Sequence, residues 1–151
     1  MVYQRGIKKG VISVIRLTKA GEYGLRAIRY LVENQDATRV SIGDISGSKN
    51  IPEPFLRKLF KPLVKNNIIQ STRGVAGGVS LAREPEEISV LEVVEALEGP
   101  LALNDCLLDE NECEFISECG MHDIWGEAQI AMAKVLRSKN LLDLKKPNLT
   151  L

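Results

Sequence analysis

The sequence predicts a mainly α-helical fold in which three helices lead into a β-hairpin and a further long helix lies near the C-terminus. Three observations predict it. Apolar residues recur at spacings of three and four over residues 18–34, 55–66, 89–98 and 123–138, the period of an amphipathic helix. Two short apolar runs flanking a glycine cluster, at residues 68–82, break that period in the manner of strand, turn and strand. A chain of 151 residues with 44% apolar and 26% charged side chains is long enough for one core with an appended arm or oligomerisation element.

Residues 1–15 show no clean period and are read as a basic leading arm. Thr18 is placed to cap the first helix, which runs to about Asn34 with Leu25, Ile28, Leu31 and Val32 as its apolar stripe. Ser41, followed three residues later by Asp44, opens a short second helix with Ile42 and Ile45 facing inward, until Gly47 and Asn50 weaken it. Ile51-Pro52-Glu53-Pro54 turns the chain into a third helix, Phe55 to about Asn66, with Leu56, Leu59, Phe60, Leu63 and Val64 at core spacing. Pro62 removes a backbone hydrogen bond there, so a kink is expected past the first turns. Two helices joined by a tight turn and followed by a hairpin match a winged helix-turn-helix outline.

A fourth helix is expected over Ser89–Glu98, with Val90, Val93, Val94 and Leu97 on one face and Gly99-Pro100 as its stop. The last helix, Asp123 to about Ser138, carries Ile124, Ala128, Ala131 and Val135 in one row beside Trp125, Met132 and Leu136. So much apolar surface beyond the compact part calls for a partner helix, most simply from a second copy of the chain. The organisation expected is an arm at 1–15, a winged helix-turn-helix at 16–98, a loop at 99–122, and a dimerisation helix with tail at 123–151.

The zero net charge hides a division. Residues 1–83 hold 15 Lys+Arg and 5 Asp+Glu, whereas residues 84–151 hold 5 and 15. The basic half is the one suited to a polyanion. Within it, the third helix interleaves Arg57, Lys58, Lys61 and Lys65 with its apolar positions. On the second helix of such a motif, Arg57 and Lys58 are placed for base edges and Lys61 and Lys65 for phosphates. Arg73 precedes the glycine turn and can project from the hairpin tip toward a minor groove. Gly74, Gly77 and Gly78 are explained by the turn itself; the Walker lysine and the helix of a phosphate-binding loop are missing.

Cys106, Cys113, Cys119 and His122, which are all the cysteines and the sole histidine, fall within seventeen residues. Three cysteines cannot all pair within one chain, and neither a secretory leader nor a membrane-length apolar stretch is seen. A reducing cytoplasm is expected, where such a cluster more often binds metal or does redox work than forms disulfides. Structural zinc favours ligand pairs two to four residues apart, so the gaps of six and five residues suit an iron–sulfur cluster better. Asp105, Asp109, Glu110, Glu112, Glu114 and Glu118 would disfavour free thiolates, which argues against a metal-free thiol switch. No nucleophile–base pair is evident, so an enzyme is not expected.

With these residues in view, the chain resembles the bacterial winged-helix regulators that include IscR and NsrR, the Rrf-type regulators, over roughly residues 15–137. The resemblance rests on Arg16-Leu17-Thr18-Lys19, on Ile51-Pro52-Glu53-Pro54-Phe55-Leu56, on Arg73-Gly74 with Gly77-Gly78, and on the three cysteines. It implies a homodimeric transcriptional regulator, and together with the basic residues above it leads to the expectation of a repressor by preference that binds a pseudo-palindromic promoter site through Pro54, Arg57, Lys58, Lys61, Lys65 and Arg73. It further implies that Cys106, Cys113 and Cys119 hold a cluster, 2Fe-2S in preference to 4Fe-4S. Cys119, His122 and Trp125 match the spacing of the last cysteine, histidine ligand and tryptophan of IscR-like members, and Glu22 matches a position from which some members supply a carboxylate across the dimer. The fourth ligand is therefore His122 or Glu22 of the partner subunit. Two departures limit the transfer: the first cysteine gap is one residue longer than in IscR-like chains, and Arg57 stands where they carry an acidic residue. Two other readings stay open, a cluster-free regulator answering to a metabolite or partner protein and an iron–sulfur electron carrier.

Overall fold

Thr18 is the cap of helix α1, Lys19–Glu33, its Oγ1 accepting from the backbone of Ala20 and Gly21. A computed structural model describes residues 16–74, 77–109 and 113–145; the basic arm expected at 1–15 and the last six residues of the tail lie outside the described residues. Helix α2 is Ile42–Lys49, and the Ser41 hydroxyl accepts from Asp44 N as the capping pair predicts. Helix α3 is Glu53–Lys65, two residues longer at its start than the periodicity suggests, because Pro54 fits a first turn whose N–H groups need no intrahelical partner. The helix continues through Pro62, whose carbonyl accepts from both the backbone and the side chain of Asn66.

The end of α3 is fixed by Asn67, one of two non-glycine residues with positive φ among the described residues. Its N–H reaches Val64 O while Ile68 N reaches Leu63 O, the paired bonds of a Schellman motif, and the chain turns at once into the hairpin. Strands β1, Ile69–Thr72, and β2, Gly78–Leu81, pair antiparallel with Ile69 opposite Leu81 and Thr72 opposite Gly78. Val40, between α1 and α2, bridges Val79 and ties the hairpin to the helices.

After a 3-10 turn at Pro85–Glu87, helix α4, Val90–Glu98, opens with a full capping box between Ser89 and Glu92. It packs closely on α1: a Cβ at Gly24 would lie 2.3 Å from Leu97 Cδ1, so a larger residue there would have to displace that leucine side chain. That contact shifts the buried stripe of α1 to Gly21, Gly24, Ala27, Ile28, Leu31 and Val32, leaving Leu25 only partly buried. Ile45, Ile51, Leu56, Leu63, Ile68, Ile69, Ile88 and Val93 complete one apolar core. Val64, expected inside, is 42% exposed.

Helix α5 runs Gly120–Ser138, three residues earlier than expected, so that His122 lies in its first turn. The chain then returns: Leu141 N bonds to Ile88 O, Val90 N to Lys139 O, and the Leu141 side chain is fully buried in the core. None of α5's own residues is buried. No described helix is long and apolar enough to cross a membrane.

Candidate nucleic-acid interface and cysteine loop

Ile51, buried in the turn between α2 and α3, sets the angle at which α3 leaves the core. Asn50, left-handed with φ 53°, ends α2, and Pro52 O accepts the N–H groups of Phe55 and Leu56 to start α3. With Leu56, Leu59, Phe60 and Leu63 pointing inward, Arg57, Lys58, Lys61 and Lys65 are left exposed along the outer face. Pro54 is exposed in the first turn.

A surface groove runs between this face and the hairpin. Arg57, Lys61 and Val64 line it from α3, residues 71–74 and 77–79 from the hairpin, and Ser41, Ile42 and Gly43 from the start of α2. The structure thus brings Arg57, Lys61 and Arg73 together, whereas Lys58 and Lys65 stand on α3 without lining the groove. The exposure of Val64 is explained by its place there. Sequence reasoning treated Ser41 as a cap alone and missed that the first turn of α2, a helix end suited to a phosphate, faces the same groove. Its only signal was that capping residue.

Arg57 Nη2 pairs with Glu53 Oε2 at 3.2 Å, an exposed i,i+4 pair worth only ~0.3–0.5 kcal/mol and easily exchanged for a stronger anion. Lys58, Lys61, Lys65 and Arg73 make no ion pair among the described residues. Gly74 has φ 114° and accepts from Gly77 N at 2.9 Å, which narrows the tip directly after Arg73.

The cysteine loop is joined to this unit through the end of α4. Glu98 Oε1 accepts from Thr18 N at 3.2 Å and Thr18 Oγ1 at 2.7 Å, and Gly99, with φ 90°, turns the chain away. The first part of the loop lies on α5: Leu103 N donates to Gln129 Oε1 at 3.1 Å, and with the Asn104 amide oxygen facing Trp125 it accepts from Nε1 at 3.1 Å. Cys106 sits in a 3-10 turn, Asp105–Leu107. Cys113 O accepts from Ile116 N, Cys119 is the N-cap residue of α5, and Cys119 O accepts from His122 N. All three thiols are free and half-buried.

Among the described residues no three His, Cys, Asp or Glu side chains are gathered closely enough to hold a metal ion. The donor chemistry nevertheless fits one, because His122 Nδ1 is buried without a hydrogen-bond partner among the described residues. A buried imidazole nitrogen left unpaired is costly unless something else takes up its lone pair. Glu22 is exposed on α1, paired with Lys19 at 3.0 Å and Arg26 at 2.8 Å. The hydrogen bond and charge of Lys19, with the charges of Arg26 and Arg16, hold its carboxyl below the ordinary glutamate value, against a smaller opposing effect of burial.

A family model, Rrf2, described as iron-dependent transcriptional regulator, matches residues 17–147. The chain belongs to the Rrf2 family. Protein rrf2 of Nitratidesulfovibrio vulgaris strain Hildenborough is 36% identical over 130 residues, covering 86% of this chain and 87% of its own length. Among solved structures, CymR (YrzC), the global cysteine regulator of B. subtilis, is similar with a TM-score of 0.71 and 28% identity, over 87% of this chain and 96% of that one. T. potens IscR is similar with a TM-score of 0.69 and 28% identity, over 86% and 85%. The fold is that of the Rrf2 winged-helix regulators, and the chain is a transcriptional regulator rather than an enzyme.

Proposed function

We propose that this Rrf2 regulator is a homodimeric repressor whose affinity for a pseudo-palindromic promoter site is set by an iron–sulfur cluster on Cys106, Cys113 and Cys119. The observation that carries the reading is the buried, unpartnered Nδ1 of His122, three residues after Cys119 at the start of α5. It makes His122 the favoured fourth ligand, with Glu22 of the partner subunit as its competitor. When bound, the cluster supplies a group that oxygen or nitric oxide can oxidise or dismantle, and that also reports iron–sulfur supply.

The chain's own residues account for the rest. Arg57 and Lys58 read base edges, while Lys61, Lys65 and Arg73 hold phosphates or the minor groove, with Pro54 beside them in the first turn of α3. Met121, Ile124 and Val135 are exposed large apolar residues on one face of α5, a row suited to the same helix of a second copy. Two winged helices joined that way would address half-sites about one helical turn, or a multiple of it, apart. The Glu98–Thr18 contact carries a change in the loop to the cap of α1.

One observation favours a second reading. The likeness to CymR, a cysteine regulator, together with the ungathered cysteines, suits a cluster-free regulator answering to a metabolite or partner protein. Variants assign the ligands. Cys113→Ala is expected to abolish the visible chromophore of anaerobically purified protein, and of His122→Ala and Glu22→Ala, the one that leaves the spectrum unchanged is not a ligand. A chromophore that survives Cys113→Ala contradicts the assignment.

A further inference from the structure

The hairpin that carries Arg73 has two strands of four residues, too few to hold a fixed direction unaided. One side of it is held, one residue pair short of the tip, by the Val40–Val79 bridge. On the other side stands Arg83, two residues past β2, with a side chain only 27% exposed. Its three guanidinium nitrogens each find a separate acceptor. Nε donates to Asn67 O at 3.1 Å, Nη1 to Glu87 O at 3.3 Å, and Nη2 to Glu92 Oε1 at 2.7 Å.

Those acceptors belong to three different elements. Asn67 is the left-handed residue that ends α3 and starts the hairpin, Glu87 closes the 3-10 turn after it, and Glu92 is the acidic member of the α4 capping box. Glu92 uses its other oxygen for Ser89 N at 2.7 Å and Ser89 Oγ at 2.9 Å, so its carboxylate is fixed before Arg83 meets it. Burial alone would raise that carboxyl, but the hydrogen bonds from Ser89 and Arg83 outweigh it and keep it below its ordinary value. A planar fork of donors can serve three acceptors at once, which a lysine ammonium on a flexible stem does not reproduce.

We propose that Arg83 is a positioning residue for DNA binding, which locks the end of the recognition helix, the exit of the hairpin and the start of α4 together and so holds Arg73 in place over the groove. The proposal rests on the reading above that Arg73 contacts DNA. Arg83 itself touches no nucleic acid in this account.

The test is a double-mutant cycle on the full chain, with binding to a mixed-sequence DNA duplex at low salt measured by fluorescence anisotropy. Arg73→Ala and Arg83→Gln are each expected to weaken binding about three- to tenfold, and the double variant no more than Arg73→Ala alone. Arg83→Lys, which keeps the charge but not the fork, is expected to bind like Arg83→Gln, whereas a direct phosphate contact would let lysine restore affinity. Arg57→Ala with Arg83→Gln is the control, in which the two losses multiply. Should Arg83→Gln fail to fold by circular dichroism, Glu92→Gln loosens the same lock from its other side and carries the same expectation. Losses that multiply for Arg73 and Arg83, or full affinity in Arg83→Lys, overturn the proposal. An undiminished Arg73→Ala would overturn it too, and would also remove the hairpin from the DNA-binding reading, which the first two results leave intact.

Discussion

Arg57 and Arg73 line one groove from two elements, α3 and the hairpin, and they are expected to do different work there. Arg57 lies in the second turn of α3, where a guanidinium that meets a guanine edge contributes ~1–3 kcal/mol of discrimination. Arg73 stands at a glycine turn and contributes charge with little base information. Arg57→Ala is therefore predicted to relax preference at one operator position. Arg73→Ala should weaken all sequences alike and lower the salt slope by about one. Anisotropy titrations over a panel of operator variants separate the two, and identical profiles would contradict the division. At this scale the sequence was a partial guide. The basic residues of α3 were legible from their spacing, but the contribution of Ser41, Ile42 and Gly43 was not, because a cap signal says how a helix begins and not what it faces.

Among the elements, helix ends were legible where a capping side chain marked them, whereas α3 starts two residues before the expected Phe55 because Pro54 lies inside its first turn. Thr18, Ser41 and Ser89 all cap as their neighbours imply. The segment after α5 was not. Leu141–Lys145 is a short apolar run without period, yet Leu141 is fully buried and its backbone bonds to Ile88. Its 3-10 turn is opened by a local cap, Asn140 Oδ1 accepting from Leu142 N and Asp143 Oδ2 from Asn140 N, and contact with α1 and the Pro85–Glu87 turn seats it. Leu141→Ala is predicted to destabilise the winged-helix unit by ~2–5 kcal/mol, the range for emptying a leucine site in a packed core. Chemical denaturation with a helix signal checks it, and a loss below ~1 kcal/mol would show that the return segment is dispensable. The same contrast explains Leu25 and Val64. Periodicity marks both as core, but the glycines of α1 admit α4 so closely that Leu25 moves to the margin, and Val64 faces the groove.

For the whole molecule, charge separates along the chain, with the basic groove in the first half and the acidic cysteine loop and α5 in the second, as the proposed division between DNA binding and sensing requires. The exposed row on α5 predicts that Val135→Asp, at a side chain 58% exposed, shifts the chain to monomer while leaving its helix content unchanged. Sedimentation velocity decides this, and an unaltered dimer would move the interface elsewhere. The cysteine loop was legible as a cluster of donors but not as a geometry, since ligand spacing restricts which side chains can meet without saying how the loop closes. The structure adds the buried Nδ1 of His122, unpaired among the described residues, and the Glu98–Thr18 link to α1 from the end of α4, where the loop begins.

The most direct measurement is made on one anaerobic preparation, with absorption and EPR spectra and promoter affinity recorded before and after air or nitric oxide. The account predicts a coloured, iron-containing protein whose spectrum and DNA affinity change together. A colourless, iron-free protein that binds its promoter with the same affinity throughout would contradict it.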